Sequence, residues 1–452
     1  MPARGSRPLT CVIGAGPSGL AACHVLEEHA IPWVCHEAGE RVGGQWVLGN
    51  TSGTSVAYRS LRTNTHKGMS RYSDYALPDH YPDFPDHAQM AAWFGSYAEH
   101  FGLHDRIRFG SRVVRAEPRD VGGWEIETAT GEREAYDALV VAVGNLWSPH
   151  WPDLPGELDG PVLHARDYMD PRDPVDCTGR SVLVIGLGNT ACELAVELSA
   201  PGVARSVFLS CRSGQIILPR RIDGRLLPAP HPADPLEGPF RWLPRPARDA
   251  LFRAVFPRVL RRITRGLRRP EDVGLPAPAS PFEKRPVVND EIIDCLHEGR
   301  VRPKPTLRRL RGGKVEFSDG SVEEIDVVIA ATGYRLSLPF FREGLLGPRG
   351  DDLELFRGVM HPRFHDLFVV GVMRAICSIW PRAEQQMRWV APLLTGESAL
   401  PSAREIARET YPVLGVPFGN CQFHTHDLQR DLSRGRRRAM RRRRSGGTGS
   451  EV

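Results

Sequence analysis

Lysine is scarce in this chain of 452 residues: Lys67, Lys284, Lys304 and Lys314 are the only four, and the other 55 of the 59 basic residues are arginine. Set beside 45 glycines and 39 prolines, this bias is a habit of composition and says little about partners. Eight arginines (Arg434, Arg436 to Arg438, Arg441 to Arg444) exceed the whole formal charge of +5 and leave the rest of the chain near −3. The body therefore lacks the positive field that a nucleic-acid partner requires. Long apolar runs are missing too. None approaches the roughly 18 uninterrupted residues of a membrane helix, and the arginine-bearing opening runs into a short strand rather than a signal peptide. A cytoplasmic protein without a membrane partner is expected. The nine cysteines form no CxxC pair and no zinc-finger spacing, which excludes dithiol redox chemistry and structural zinc. His361 with His365, and His424 with His426, are spaced for a metal but have no supporting carboxylates or thiolates, so no metal is expected.

What the chain does contain is a repeated α/β unit. An apolar strand at Leu9 to Ile13 turns through glycines into a helical stretch from Ala21 to Glu28. The same order recurs from Gly179, through Val182 to Ile185, into Cys192 to Ser199 and a strand at Ser206 to Leu209. Further buried strands end in small residues at Gly144 and at Thr332-Gly333. The length and this repetition predict an α/β protein with two Rossmann-like dinucleotide-binding domains.

Gly14, Gly16 and Gly19 form GxGxxG between strand and helix, where they permit the turn, the approach of a pyrophosphate and the packing of helix on strand. The next strand ends at Glu37, placed to accept hydrogen bonds from an adenosine ribose. The second fingerprint, Gly186, Gly188 and Ala191 with Asn189 between them, is followed by a strand that ends Ser210-Cys211-Arg212 without an acid. Ser210 can donate a hydrogen bond to a ribose 2′-phosphate and Arg212 can neutralise it, so NADPH is favoured over NADH. The alternative for Arg212 is a solvated arginine, with Arg220 and Arg221 close enough to replace it. Two nucleotide sites and no cysteine pair point to FAD plus NADPH, with electrons passing onward to something other than a disulfide.

Leu158-Asp-Gly160-Pro-Val-Leu-His164-Ala-Arg-Asp-Tyr168 is similar to the FxGxxxHxxxY motif of a known family, the flavin-containing monooxygenases, with leucine for phenylalanine. Gly43-Gly44-Gln45-Trp46 resembles its flavin-contacting GGxW, and Tyr58 to Met69 resembles its Y-x-x-L-x-T-N-x-x-K-x-M segment. Val288 to Glu291, Ala331 to Tyr334 and the stretch Ala383 to Trp389 around Gln386 are also similar, so likeness extends over about residues 8 to 400. The resemblance implies that Gly44, Gln45, Trp46, Thr332, Gly333 and Gln386 serve the cofactors. It also implies that Asn64 lies beside the flavin and supports a C4a-hydroperoxyflavin, which oxygenates an amine nitrogen or a sulfide sulfur using O2. The turn-capping reading of Asn64 stays open. His164 reads as a structural histidine, and Tyr58, Trp46, Ile376 and Trp380 as neighbours of the substrate.

The resulting division places the first part of an FAD domain at 1–170 and an NADPH domain at 171–325, with a Pro/Arg-rich insertion at about 219–286 that contains a helical stretch from Asp249 to Leu267. The FAD domain resumes at 326–430, and a disordered basic tail occupies 431–452. A homodimer is compatible with this plan. The competing functions are a Baeyer–Villiger monooxygenase acting on a ketone, an uncoupled NADPH oxidase, and a non-catalytic nucleotide-binding module.

Overall fold

A computed structural model describes residues 7–226, 243, 245–278, 285–348, 350–373, 378–414 and 424–446. Its first layer starts with β1 (Thr10–Ile13), α1 (Pro17–Glu28) and β2 (Trp33–His36). Helix α2 (His87–His100), closed by an Asp86 capping box, leads to β3 (Ile107–Arg108). An antiparallel three-stranded meander, β4 (Val113–Pro118), β5 (Trp124–Thr128) and β6 (Arg133–Tyr136), precedes β7 (Ala138–Val141). The strand Leu367–Val369 pairs with β7 on its outer side, which gives a five-stranded parallel sheet in the order Leu367–Val369, β7, β1, β2, β3. β1 and β7 are buried throughout, as strands covered on both faces must be.

The second sheet is also parallel, in the order Val162–His164, Val327–Ala330, Ser181–Ile185, Ser206–Ser210, Val301–Lys304. Helix α3 (Asn189–Leu198) crosses over between its third and fourth strands. α4 (Arg245–Ile263), with Pro257 inside it, lies in the expected insertion, and α5 (Ile292–His297) packs against α3. The division of the chain differs from the expected one at both ends of this unit. Val162–His164 and Val327–Ala330, assigned by sequence to the FAD part, are hydrogen-bonded to each other in the second sheet. Both are short runs next to a linker, and strand pairing, which local pattern does not encode, decides which sheet takes them.

α6 (Trp380–Leu394) packs along α1, and the capped α7 (Ala403–Arg408) leads to α8 (His424–Gly446). The expected disordered tail is a correction, because α8 runs through its arginines as far as Gly446. Arginine has high helix propensity, and the helix is anchored before that run. Arg357, 6% exposed, meets Asp431 at 2.7 Å and Asp427 at 3.6 Å, and Arg438 pairs with Glu405 at 2.7 Å. The last residues, 447–452, lie outside the described residues.

Candidate active site

The loop after β1 is held by the carboxylate of Glu37 at the end of β2. Its Oε2 accepts the Ala15 amide at 2.6 Å and its Oε1 accepts the Gly39 amide at 2.7 Å. Each oxygen keeps a further lone pair for a ribose hydroxyl. A Cβ on Gly19 would overlap the carbonyl oxygen of Gly14, so only glycine lets α1 lie this close to the turn. Gly44, at φ +54°, brings a second backbone against the first: a Cβ there would lie 2.9 Å from the Cα of Gly16. The start of α1 has no side-chain cap, which leaves a helix N-terminus of the kind that receives a phosphate.

Trp46 is 8% exposed and stands edge-to-face with Trp380, 5.9 Å between ring centres. Its indole N–H is buried and has no partner in the described structure, and the same holds for Asn64 Oδ1, Thr63 Oγ1 and the Trp147 indole. Buried polar atoms are otherwise nearly always paired, so these four are suited to a polar ligand. The glycine cradle, Glu37 and the Trp46 indole in the same turn as Gly44 fit a flavin dinucleotide. A cleft of about 550 Å³ runs past Trp46 between Glu40, Val42 and the α2 residues Ala91 and Gly95.

At the second fingerprint, Gly186 donates to the Ser210 carbonyl at 2.8 Å, and Gly188 stands uncapped at the start of α3. Asn189 Oδ1 accepts the Val288 amide at 2.8 Å and so joins the turn to the Val288–Glu291 segment. Arg212 is exposed beyond the strand end and makes no ion pair among the described residues, leaving it available to a phosphate. Ser210, expected at the same phosphate, has its hydroxyl engaged elsewhere in this structure. It is 1% exposed and donates its hydroxyl to the Pro305 carbonyl at 2.6 Å, because it stands opposite Lys304 in the adjoining strand.

Three other expected cofactor residues make contacts within the protein. The Thr332 hydroxyl donates to the His150 carbonyl at 2.5 Å, while the Gly333 carbonyl accepts from the His150 amide at 2.9 Å and contacts His164 Nε2 at 3.1 Å. These contacts tie together the crossings between the two units. His164 also accepts the Arg166 amide on Nδ1 at 3.1 Å, which fixes the neutral tautomer with the proton on Nε2. Burial lowers its pKa, consistent with a structural histidine. Gln386 is fully buried, and its side-chain oxygen accepts the Gly371 amide at 2.8 Å. Gly371 in turn packs against Ser18 in the first turn of α1, so Gln386 shapes the cradle from behind. Gly371 was missed by sequence reading, although it ends the apolar run Leu367 to Val370 much as Gly144 ends β7.

Tyr58, 2% exposed, donates its hydroxyl to Glu193 on α3, so it faces the second unit rather than open space. Tyr168 donates to Glu197, one turn further along α3, at 2.9 Å. Burial raises the pKa of both carboxyls against the pull of these hydroxyls. Ile376 lies outside the described residues. His24, Glu28 and Asp74 are the one group of donor side chains among the described residues close enough to share a metal ion, and neither of the histidine pairs weighed above belongs to it. No described helix is long and apolar enough to cross a membrane.

Residues 9–413 match the flavin-binding monooxygenase-like family. The N-oxide-forming dimethylaniline monooxygenase 4 of Mus musculus is 34% identical over 88% of this chain and 71% of its own. Flavin-containing monooxygenase 5 of Oryctolagus cuniculus is 32% identical over 92% of this chain and 79% of its own. Among solved structures, the S-allyl-L-cysteine S-oxygenase of Allium sativum has a TM-score of 0.67 at 18% identity, covering 98% of this chain and 94% of its own. The NADP+-bound cyclohexanone monooxygenase of Rhodococcus sp. Phi1 has a TM-score of 0.66 at 18% identity, covering 96% and 98%. At these identities the two structures show a shared fold and no more. The chain belongs to the flavin-binding monooxygenase-like family and is a flavin-containing monooxygenase, an oxidoreductase that works with FAD, NADPH and O2 on a small molecule.

Proposed function

We propose that this enzyme transfers one oxygen atom of O2 to a soft nucleophile, an amine nitrogen or a sulfide sulfur, of a small molecule. Bound FAD, reduced by NADPH, supplies the two electrons that let one oxygen atom go to substrate and the other to water. The loop Gly14 to Gly19 and Glu37 hold the adenosine diphosphate half of FAD, while Gly44, Gln45 and Trp46 line its flavin. Gly186, Gly188 and the start of α3 take the NADPH pyrophosphate, and Arg212 takes the 2′-phosphate.

The observation that carries the reading is Asn64. Its Oδ1 is sealed from solvent and has no partner among the described residues, on the segment that leads from the FAD-side loops toward α3. A carboxamide there can accept and donate hydrogen bonds without changing charge, which suits a site that shelters a reactive oxygen species. His164, at the place where the resemblance could suggest an acid or base, has both ring nitrogens occupied. Heteroatom oxygenation does not require a strong base. The N-oxide-forming relative favours nitrogen among the soft nucleophiles.

The test is product analysis with a matched tertiary amine, thioether and cyclic ketone, each supplied with NADPH and O2. N-oxide or S-oxide with no ester supports the proposal. Ester from the ketone with neither oxide overturns it in favour of a Baeyer–Villiger enzyme.

A further inference from the structure

The segment that carries Asn64 is attached to the second nucleotide unit on both of its sides. Upstream, Tyr58 donates to Glu193, and the Arg59 amide donates to the Met169 carbonyl at 2.9 Å. Downstream, backbone bonds clip the segment to a neighbouring strip: Thr63 N to Pro85 O at 2.9 Å, His87 N to Leu61 O at 3.0 Å, and Lys67 N to Asp83 O at 2.7 Å. That strip is in turn gripped from the second unit. The Arg220 guanidinium lies over the Phe84 ring, 5.6 Å from its centre, and Arg221 pairs with Asp83.

Arg220 is where these contacts meet. Its side chain is 16% exposed and reaches Glu193 at 3.2 Å and Asp290 at 3.0 Å, while its amide donates to Asp290 at 2.7 Å. Glu193 lies in the second turn of α3, whose first residue, Asn189, adjoins the proposed NADPH pyrophosphate site. Asp290 belongs to the segment that Asn189 grips through Val288. A nucleotide drawn onto the start of α3 thus acts on a helix that holds Tyr58 directly and Phe84 through Arg220.

We infer that Tyr58, Glu193 and Arg220 are positioning residues that make the placement of Asn64 depend on nucleotide occupancy of the α3 site. They touch neither reacting atom. Their effect is an energetic coupling of two sites through one packed, hydrogen-bonded path, and it works because the nucleotide binds better when α3 and the Asn64 segment are docked. The inference rests on the assignment of Asn64 and of the α3 site made above.

The test is amide hydrogen exchange on the full-length, FAD-loaded protein with and without saturating NADP+. In the unsubstituted protein NADP+ should slow exchange in residues 58–69 about tenfold, as docking of a local unit does. Tyr58→Phe should reduce that slowing while leaving it intact at 186–192, and Glu193→Ala, which removes the contacts to Tyr58 and Arg220 together, should abolish it. Glu193→Gln, which keeps an acceptor for both partners, should retain it. Thermal melts identify any variant that has simply unfolded. Equal slowing at 58–69 in the unsubstituted and Tyr58→Phe proteins overturns the inference, as does no slowing in the unsubstituted protein. Asn64→Ala separates this inference from the functional reading: it should keep the NADP+ effect on exchange and lose oxygen-transfer coupling. Unchanged coupling in that variant removes Asn64 from the site and leaves the relay standing.

Discussion

Glu37 Oε2 sits 2.6 Å from the Ala15 nitrogen, so one carboxylate at the end of β2 fixes the glycine turn at the end of β1. The second oxygen takes the Gly39 amide at 2.7 Å. Glu37→Ala removes two charge-assisted hydrogen bonds along with the ribose acceptor. The expected cost is roughly 2–4 kcal/mol of stability. Purified Glu37→Ala should carry well under half the FAD of the unsubstituted enzyme, measured by flavin absorbance against protein. Full flavin occupancy would show that another group holds the ribose.

Ser210 and Arg212, two residues apart, part company in the structure. With the Ser210 hydroxyl engaged by Pro305, NADPH selectivity is proposed to rest on Arg212. Arg212→Ala should raise KM for NADPH by roughly 10-fold to 100-fold, the size of one lost charge-assisted contact, and leave KM for NADH nearly unchanged. Ser210→Ala should leave the ratio of the two constants where it is. An equal rise for both cofactors in Arg212→Ala would transfer the 2′-phosphate to a different arginine.

The same pair shows what the sequence made legible. Both fingerprints, Glu37 and the two-sheet α/β plan could be read from it, because glycine turns and β-strand periods are local. The engagement of the Ser210 hydroxyl was not legible, because which face of a strand end meets which neighbour depends on register, here on Lys304 standing opposite. The Gln386 contact was not legible because a buried amide can serve a loop as readily as a ligand, and the loop it serves, Gly371, is distant in sequence. The Thr332 hydroxyl is likewise taken up by a carbonyl in a linker, at His150. The helical course of the arginine run depends on Asp427 and Asp431 finding Arg357.

Arg357 faces Asp431, Asp427 and Glu409 from a nearly sealed position, with Glu409 at 3.0 Å. Removing it takes a guanidinium partner from the buried Asp427 and Asp431. Arg357→Ala should therefore cost about 3–5 kcal/mol and release α8. Limited proteolysis should cut near residues 424–446 in the variant at trypsin concentrations that spare this helix in the unsubstituted protein. An unchanged cleavage pattern would mean that α8 is held by other contacts.

Acid should weaken the fold through its buried histidines. Burial lowers the pKa of His36, His164 and His361, so the unfolded chain binds protons that the folded chain refuses. Their stabilising contribution is complete above the unfolded value of about 6.5 and is lost as pH falls through the lower folded values. Glu193 and Glu197, raised by burial, act with the opposite sign: their contribution is present at low pH and fades as pH rises through their folded values. Denaturant melts between pH 7.5 and pH 5.5, the range around that histidine value, should show stability falling with pH. His164→Gln should flatten part of the slope, and a slope identical to that of the unsubstituted protein would remove His164 from the account.

The most direct test of oxygen transfer is the fate of the NADPH electrons. With a good amine or sulfide, product formed should approach NADPH consumed, with little hydrogen peroxide. In Asn64→Ala, flavin reduction by NADPH should persist while peroxide becomes the main product. Stoichiometric peroxide from the unsubstituted enzyme with every amine, sulfide and ketone offered would contradict the account and mark the protein as an NADPH oxidase.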